Sequence, residues 1–258
     1  MGDLHLYLAP HLDDGVLSCG GLIARQIEAG ERAIVLTIFA GDPPPVPSTV
    51  FSAWRTAGLL SAEEYVALRR SEDRAAVERL GACWLHWEFP DCIYRLGPDG
   101  QPLYAEPPAI FEEIHPSERG VLVGVLTVRL QALCDALRPS VLYAPLGVGH
   151  HVDHYLVQWA ARRLTPRGWT LRYYEDYPYA EVPGFVQAAI EIGGPWQPEL
   201  EPLTPSALQA KIEAVLCYRS QVRGLFQGEE YAAERIKAYA HGLSPDGPAE
   251  RYWRPETR

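Results

Sequence analysis

Two short clusters of histidine and aspartate are the residues of this chain best suited to chemistry. The first spans His11–Asp14 and the second spans His150–His154, and each follows a short apolar run. Imidazoles and carboxylates bind zinc, and a catalytic zinc site needs three such ligands with one position left open for water. Either cluster alone would be weak evidence, because isolated pairs of this kind usually lie on a solvated surface. Together they indicate two halves of one metal site.

The spacing within the clusters suggests which residues bind the metal and which take part in the reaction. His11, Asp14 and His154 supply two nitrogens and one oxygen as metal ligands. Asp13 and Asp14 are adjacent and cannot both face a metal easily, so Asp13 is left to receive the proton of an activated water molecule. His151 lies three residues before His154, and a helical start brings both to one side. His151 then faces a reacting carbonyl group, which is the arrangement of a hydrolase.

Further readings of the same residues stay open. Asp153 is placed to hold one of the histidines in a single tautomer, and His150 has no assigned role. The donor set suits Zn²⁺ but also accepts Fe²⁺ or Mn²⁺. Two histidines and one carboxylate are also the ligands of non-haem iron oxygenases, so an oxygenase is an alternative to a hydrolase. The spare base Asp13 favours hydrolysis.

The elements around the clusters predict an α/β fold, with a doubly wound, mostly parallel sheet and helices on both faces. In the usual strand order 3-2-1-4-5, the first and fourth strands are neighbours where the order reverses. Ligands bind beyond the carboxyl ends of the strands at that point, so the two clusters should meet there. The expected strands are Leu4–Ala9, Ala33–Phe39, Cys83–Trp87, Ser140–Ala144 and Thr170–Tyr174, and the expected helices are Val16–Ala29, Glu63–Leu80, Val121–Leu137 and Asp153–Leu164.

The remaining segments predict pocket walls and an elaboration of the core. Residues 42–61 and 88–118 should form irregular loops over the sheet, and Trp54 in the first loop is a candidate to stack on a sugar. Helices are expected at Ser206–Tyr218 and Glu229–Ala240. We expect a single domain over 1–258, with a core at about 1–175 and a C-terminal helical elaboration at about 176–258.

Composition narrows the range of partners. The formal net charge of −10 argues against a nucleic-acid partner or an anionic membrane surface. No apolar run approaches the ~20 residues of a membrane helix, and no signal peptide is visible, so we expect a cytoplasmic protein without membrane insertion. The first strand-to-helix turn lacks G-x-G-x-x-G, which argues against a dinucleotide cofactor. The sequence leaves assembly into a homo-oligomer open.

At these residues the chain resembles the PIG-L/LmbE-like family of zinc-dependent N-acetylglucosaminyl deacetylases, which have a Rossmann-like fold. The family pattern after the first strand is matched by Pro10–Gly15, and the later pattern is matched by His151–His154. The resemblance covers most of the chain. It extends to Cys19–Gly21, Arg69–Asp73, Leu80–Gly81, Phe89–Asp91, Tyr174–Tyr179, Tyr218–Gln221 and Glu250–Trp253.

The resemblance implies a substrate and a role for each site residue. It implies removal of an N-acetyl group from an N-acetylglucosamine-type sugar or conjugate, with one zinc per chain and a small-molecule amino-sugar substrate. The implied catalytic residues are Asp13 as general base, His151 as stabiliser of the oxyanion or proton donor, and Asp153 as support of the histidines. Arg69, which Glu72 could aim through an ion pair, and Asp91 are implied at the substrate. The implied zinc ligands are His11, Asp14 and His154.

Two departures from the family pattern keep alternatives open. Leu12 stands where the family has Pro, and Gly15 stands where it has Glu, which removes a carboxylate beside the site. One alternative is an amidase that acts on a larger acyl group or on a thiol conjugate, with the two loops deciding the size of the substrate. Another is a catalytically silent sugar-binding relative, which only Gly15 suggests.

Overall fold

Seven strands form one sheet in the computed structural model, which describes residues 2–45, 60–165 and 168–256. The strands are β1 (Leu4–Ala9), β2 (Arg32–Thr37), β3 (Cys83–His86), β4 (Val141–Pro145), β5 (Leu171–Tyr174), β6 (Trp196–Pro202) and β7 (Ala249–Pro255). Their order in the sheet is β3-β2-β1-β4-β5-β7-β6. The first five strands pair in parallel, and this confirms the predicted order 3-2-1-4-5.

Helices cover both faces of this sheet. They are α1 (Asp14–Glu28), α2 (Ala62–Arg79), α3 (Pro116–Arg119), α4 (Val121–Leu137), α5 (Val152–Arg162), α6 (Phe185–Gly193), α7 (Pro205–Val215), α8 (Arg219–Phe226) and α9 (Glu229–Gly242). The core on one face includes residues of α1, α2, α7, α8 and α9, and the core on the other includes residues of α4, α5 and α6. The predicted α/β class is confirmed, and the predicted helices differ from these bounds by at most three residues at either end.

The central strands are buried on both sides because their side chains alternate between the two cores. Along β1, Tyr7 and Ala9 join one core while Leu6 and Leu8 join the other, and all four are at most 1% exposed. A strand covered on both faces reads as a continuous apolar run, which is what the sequence has from Leu4 onward. The unbroken pattern therefore identified the central strands correctly.

The C-terminal part differs from the helical elaboration that we expected, because it also contributes two strands. β7 pairs antiparallel with β5, and β6 pairs antiparallel with β7, so both continue the same sheet. Edge strand β6 contains Pro198 and Pro202, which are tolerated where one side of a strand is unpaired. We propose that residues 1–258 form a single domain, since the sheet passes through both parts.

The segments expected as irregular loops have different outcomes. The segment at 88–118 contains short 3₁₀ helices at Cys92–Tyr94 and Pro107–Phe111, followed by α3. Most of the segment at 42–61, including Trp54, lies outside the described residues. Within the described part of the chain no single helix is long and apolar enough to cross a membrane. The segments Pro107–Arg119 and Val121–Leu137, which meet at an 81° bend, reach that length and apolarity only when taken together.

Candidate active site

The sheet brings the two clusters together at one edge. β1 and β4 are neighbours, with Tyr7 opposite Tyr143, and both strands end at the same rim. Asp13 precedes α1 there, and His151 precedes α5 as its N-terminal cap. All of the predicted ligands are buried to more than nine-tenths, and so is Asp13. The two clusters therefore meet where the strand order predicted, at the ends of β1 and β4.

Two histidine side chains converge on a single oxygen atom of Asp14. Asp14 Oδ2 lies 3.3 Å from His11 Nδ1 and 3.3 Å from His154 Nε2. Ligand atoms about 2.0–2.1 Å from a tetrahedral zinc ion are separated by roughly 3.3–3.4 Å, so these donors fit the ion. His11, His151 and His154 also place one ligand atom each within 4.8 Å of one another.

Each of the two histidines nearest Asp14 is held from behind by another carboxylate. His11 Nε2 lies 2.9 Å from Asp153 Oδ2, and His154 Nδ1 lies 2.6 Å from Asp176 Oδ1. A carboxylate behind a ligating imidazole fixes its ring orientation and its tautomer. Asp153 was expected to support a histidine, and its carboxylate bonds His11. Asp176 was not assigned a role from the sequence, although it lies two residues after the end of β5 at the same rim.

The carboxylate of Asp176 is itself immobilised by the backbone. Its Oδ2 accepts hydrogen bonds of 2.8 Å from the N–H groups of Gly147 and Val148, in the turn that leads to the second cluster. The Asp153 carboxylate is fixed in a similar way, because its Oδ2 accepts from the Cys92 N–H and its Oδ1 lies 2.7 Å from Arg95. The histidines are thus oriented by carboxylates that cannot turn away.

Asp13 stands beside the ligands and faces a cation. The Arg69 guanidinium lies 3.3 Å from Asp13 Oδ1 and also donates to the Leu12 carbonyl oxygen. Burial raises the pKa of Asp13 to about 7, and the rise is opposed by Arg69 and reinforced by Asp14. A carboxylate that titrates near neutral pH is well matched to accepting and returning a proton during a reaction.

His151 is held as a neutral ring with its proton on a known nitrogen. Burial lowers its pKa well below the ordinary value, and the nearby His11 and His154 add to this effect. The backbone N–H of Asp153 donates to His151 Nδ1, so a neutral ring carries its proton on Nε2. His151 lines a cavity, and its Nε2–H, which lies 3.9 Å from Cys92 Sγ, is a hydrogen-bond donor for a substrate.

Asp14, His11 and His154 shift one another's pKa values strongly. Burial alone would lower the pKa of His154, but Asp14 and Asp176 outweigh it and raise the pKa to about 10. The pKa of His11 is raised well above its ordinary value because Asp91, Asp14 and Asp153 outweigh burial. The two histidines in turn hold the pKa of Asp14 well below its usual range despite burial. The site is therefore built to hold positive charge at this point.

A cavity of about 410 Å³ opens from these residues. Its walls combine the reactive side chains with apolar and polar groups from four other segments. Its lining is His11, Asp13, Asp14, Leu17, Tyr65, Arg69, Asp91, Ile93, Ile110, His151, Pro178, Tyr179, Ser220, Gln221, Gly224 and Leu225. The size suits a small-molecule site, which commonly has about 300–1,000 Å³.

The residues expected at the substrate line this cavity, but one proposed contact is wrong. Arg69 and Asp91 both face it, and Asp91 Oδ2 lies 3.8 Å from His11 Nε2. Glu72 does not aim Arg69, because its two oxygens accept hydrogen bonds from the N–H and hydroxyl of Ser220 instead. That contact joins α2 to α8, and the order of elements along the chain gave no signal for it.

The described structure explains one departure from the family pattern. A Cβ atom added to Gly15 would lie 2.8 Å from Val35 Cγ1 and 3.4 Å from Ala9 Cβ. Position 15 therefore faces the sheet, and glycine lets α1 approach β2 closely. Leu12 is 3% exposed, and its carbonyl oxygen accepts from Arg69.

Comparison with known proteins identifies the class. The sequence profile of a family described as PIG-L: GlcNAc-PI de-N-acetylase matches residues 6–165. The zinc-inhibited form of teicoplanin deacetylase Orf2 superposes with a TM-score of 0.84 at 29% identity, covering 97% of both chains. The chain belongs to the PIG-L family, and it is an N-deacetylase.

Two curated relatives carry a more particular name. The chain is 29% identical over 269 residues to the 2'-N-acetylparomamine deacetylase of Niallia circulans, with 98% of this chain and 90% of that protein covered. It is 34% identical over 178 residues to the 2'-N-acetylparomamine deacetylase of Streptomyces fradiae, with 68% of this chain and 57% of that protein covered. The first match extends through nearly the whole C-terminal part as well as the core.

Proposed function

We propose that this protein is a zinc-dependent hydrolase that removes the acetyl group from an N-acetylated amino-sugar conjugate. The observation that carries the proposal is the convergence of His11, His154 and Asp14, with Asp13 beside them at the cavity. His11 Nδ1, Asp14 Oδ2 and His154 Nε2 would hold the ion. Zinc at this point supplies a Lewis acid that polarises the amide carbonyl and acidifies a water molecule.

Asp13 performs the proton transfers, and its neighbours set its charge or orient the proposed ligands. Asp13 accepts the proton of the attacking water molecule and returns it to the amine nitrogen as the amide bond breaks. Arg69 keeps a large share of Asp13 ionised near neutral pH, since its charge opposes the effect of burial. Asp153 fixes the ring of His11 and Asp176 fixes that of His154.

His151 stabilises the charge that develops on the acetyl oxygen. The proton lies on Nε2 because Nδ1 accepts from the Asp153 N–H, and a developing oxyanion is a stronger acceptor for that proton than the Cys92 sulfur 3.9 Å away. A neutral donor of fixed orientation requires little reorganisation when the oxyanion forms. The low pKa of His151 keeps it a neutral donor throughout the neutral range.

The cavity supports a sugar conjugate as the substrate. It combines carboxylate and guanidinium groups for sugar hydroxyls, at Asp91 and Arg69, with apolar groups at Ile93, Ile110 and Leu225. The named relatives are deacetylases of 2'-N-acetylparomamine and of teicoplanin. We infer that this chain takes an N-acetylated amino sugar joined to a second group. All of the proposed ligands and the proposed base are retained, which favours an active enzyme over a silent sugar binder.

The substrate assignment is tested with matched compounds. The zinc-loaded protein is incubated with 2'-N-acetylparomamine, with N-acetylglucosamine alone, and with paromamine carrying a longer 2'-N-acyl chain. We expect the acetylated conjugate to have the highest kcat/KM, with the free amine and acetate as products by mass spectrometry. Preference for the longer acyl chain would instead establish the amidase alternative.

A further inference from the structure

Tyr179 packs beside the proposed ligand His154 and lines the cavity, but it has no role in the proposed hydrolysis. Tyr179 lies in the turn after β5 and begins a short 3₁₀ helix at Tyr179–Glu181. The same turn carries Asp176, which holds His154, and the Asp176 carbonyl oxygen accepts from the Ala180 N–H. The segment that orients the proposed ligand His154 therefore also fixes the position of Tyr179.

The ring of Tyr179 is packed against the site. Its plane is nearly perpendicular to that of His154, with centroids 6.0 Å apart, and it packs in the same manner on Phe111 at 6.1 Å. Phe111 also packs edge-on against His151, with centroids 5.5 Å apart. Tyr179 and His151 thus share two aromatic neighbours, since His151 also contacts His154. The two residues belong to one wall of the cavity.

The backbone makes room for this ring. Gly149 has φ +90, and a Cβ atom added there would lie 2.6 Å from Tyr179 Cγ and 2.8 Å from Cδ1. Any other residue at position 149 would push the ring away from His154. The glycine is explained both by its left-handed conformation and by this close approach.

The hydroxyl group of Tyr179 has no protein hydrogen-bond partner in the described part of the chain, although the side chain lines the cavity. Several buried tyrosines donate theirs to a carboxylate, as Tyr177 does to Glu181 and Tyr218 does to Asp73, whereas Tyr173 Oη is sealed from solvent without a partner. Tyr179 lines the cavity, and its Oη is not among the polar atoms that are sealed from solvent without a partner. A substrate that displaces water from this wall must offer an acceptor to the Tyr179 hydroxyl, because otherwise the buried hydroxyl loses its hydrogen bond. Binding therefore favours a substrate with an acceptor at this position.

We propose that the Tyr179 hydroxyl is a second hydrogen-bond donor to the acetyl carbonyl oxygen and, with His151 Nε2–H, completes the oxyanion site. The proposal rests on the proposed function and makes Tyr179 a catalytic residue of the same reaction. Two converging donors are the usual way in which a developing oxyanion is stabilised. Ser220 and Gln221 of α8 also bring polar groups to the cavity, but Tyr179 is the one that packs against the proposed ligand His154.

The test compares Tyr179→Phe with Tyr177→Phe, which removes a hydroxyl from the same turn outside the large cavity. Acetate release from 2'-N-acetylparomamine and bound zinc are measured for both variants and for the wild type. We expect Tyr179→Phe to lower kcat about 100-fold, as for loss of one oxyanion donor, with KM within about threefold. Both variants should retain one zinc per chain, and Tyr177→Phe should keep the wild-type kcat.

A thioacetyl substrate locates the hydrogen bond. Sulfur accepts hydrogen bonds weakly, so the loss caused by Tyr179→Phe should shrink to a few-fold with the 2'-N-thioacetyl compound. A raised KM with unchanged kcat would overturn the proposal, since it would place the hydroxyl on the sugar. Equal losses in both variants, or loss of zinc from Tyr179→Phe, would also overturn it by showing a structural role. An inactive wild-type enzyme would overturn the proposed function itself, which separates the two failures.

Discussion

The reactive side chains of this site act in pairs, through hydrogen bonds or an ion pair. His11 pairs with Asp153 and His154 pairs with Asp176, while Asp13 faces Arg69. In each pair one member is proposed to do chemistry and the other fixes its orientation or its charge. The consequence is that substitutions in the supporting members should change a titration or an affinity in a predictable direction.

The pair of Asp13 and Arg69 predicts the acidic side of the pH profile. The proposed base acts only when deprotonated, so kcat/KM should fall as pH drops through the pKa of Asp13, which is about 7 in the metal-free protein. Arg69 opposes the rise of that pKa, so Arg69→Met should raise the pKa further and move the acidic limb to higher pH. The measurement is kcat/KM from pH 5 to 9 for both proteins, each loaded with zinc.

Asp13→Asn provides the control for this profile. It should retain one zinc per chain and lower kcat by about 10²- to 10⁴-fold, the usual contribution of a general base. Two outcomes would assign the base to another residue. One is an acidic limb of the kcat/KM profile that has the same pH in Arg69→Met as in the wild type, and the other is wild-type turnover by Asp13→Asn.

The histidine pairs predict that metal binding releases protons. The pKa of His154 is raised to about 10 and that of His11 is also raised, so both rings are protonated at pH 7 without metal. A metal must displace these protons, and its apparent affinity should therefore rise with pH between 6 and 8. Calorimetric titration of the metal-free protein with zinc, in buffers of different ionisation enthalpy, counts the protons. A buffer-independent enthalpy would show that these histidines do not bind the ion.

At the scale of elements, the sequence predicted the place where the site forms. Buried parallel strands read as apolar runs, and the usual strand order brings the ends of β1 and β4 together. The role of Asp176 could not be predicted in this way, because it depends on hydrogen bonds across the turn after β4. β7 was also missed as a strand, since Glu250 and Arg251 interrupt its apolar pattern.

The close approach of α1 to the sheet explains why the chain has glycine where the family pattern has glutamate. Gly15→Glu would place a carboxylate against Val35 in the core. We expect a loss of stability of at least about 1–3 kcal/mol, the usual effect of overpacking, and no gain of activity. Thermal unfolding of Gly15→Glu is compared with that of Gly124→Glu, where a Cβ atom meets nothing within 4 Å. Equal stability of the two variants would contradict this close packing.

At the scale of the whole molecule, one buried carboxylate joins the C-terminal part to the core. Glu250 of β7 accepts hydrogen bonds of 2.9 Å from the N–H groups of Gly21 and Leu22 in α1. It also pairs with Lys211 of α7 at 2.6 Å, and both side chains are about nineteen-twentieths buried. Tyr179 and Gln221, which line the cavity, lie in the sequence between β5 and Glu250. The C-terminal part that Glu250 anchors therefore helps to shape the substrate site.

The buried pair of Glu250 and Lys211 should contribute much more to the free energy of unfolding than an exposed ion pair. Glu250→Ala leaves the buried Lys211 ammonium without its carboxylate, with only the Ser18 carbonyl oxygen as acceptor at 3.4 Å, and should lower the free energy of unfolding by about 3–5 kcal/mol. Glu213→Ala removes the exposed pair with Arg79 and should change stability little. Urea unfolding of the two variants makes the comparison. Similar midpoints would show that the C-terminal part is held mainly by apolar packing.

The central claim is tested most directly by acetate release from 2'-N-acetylparomamine by the purified protein, with and without bound zinc. We expect multiple turnovers by the protein with one zinc per chain, loss of activity after chelation, and recovery when one equivalent of zinc is returned. Deacetylation that continues at the same rate after complete removal of metal would contradict the proposed chemistry of His11, Asp14 and His154.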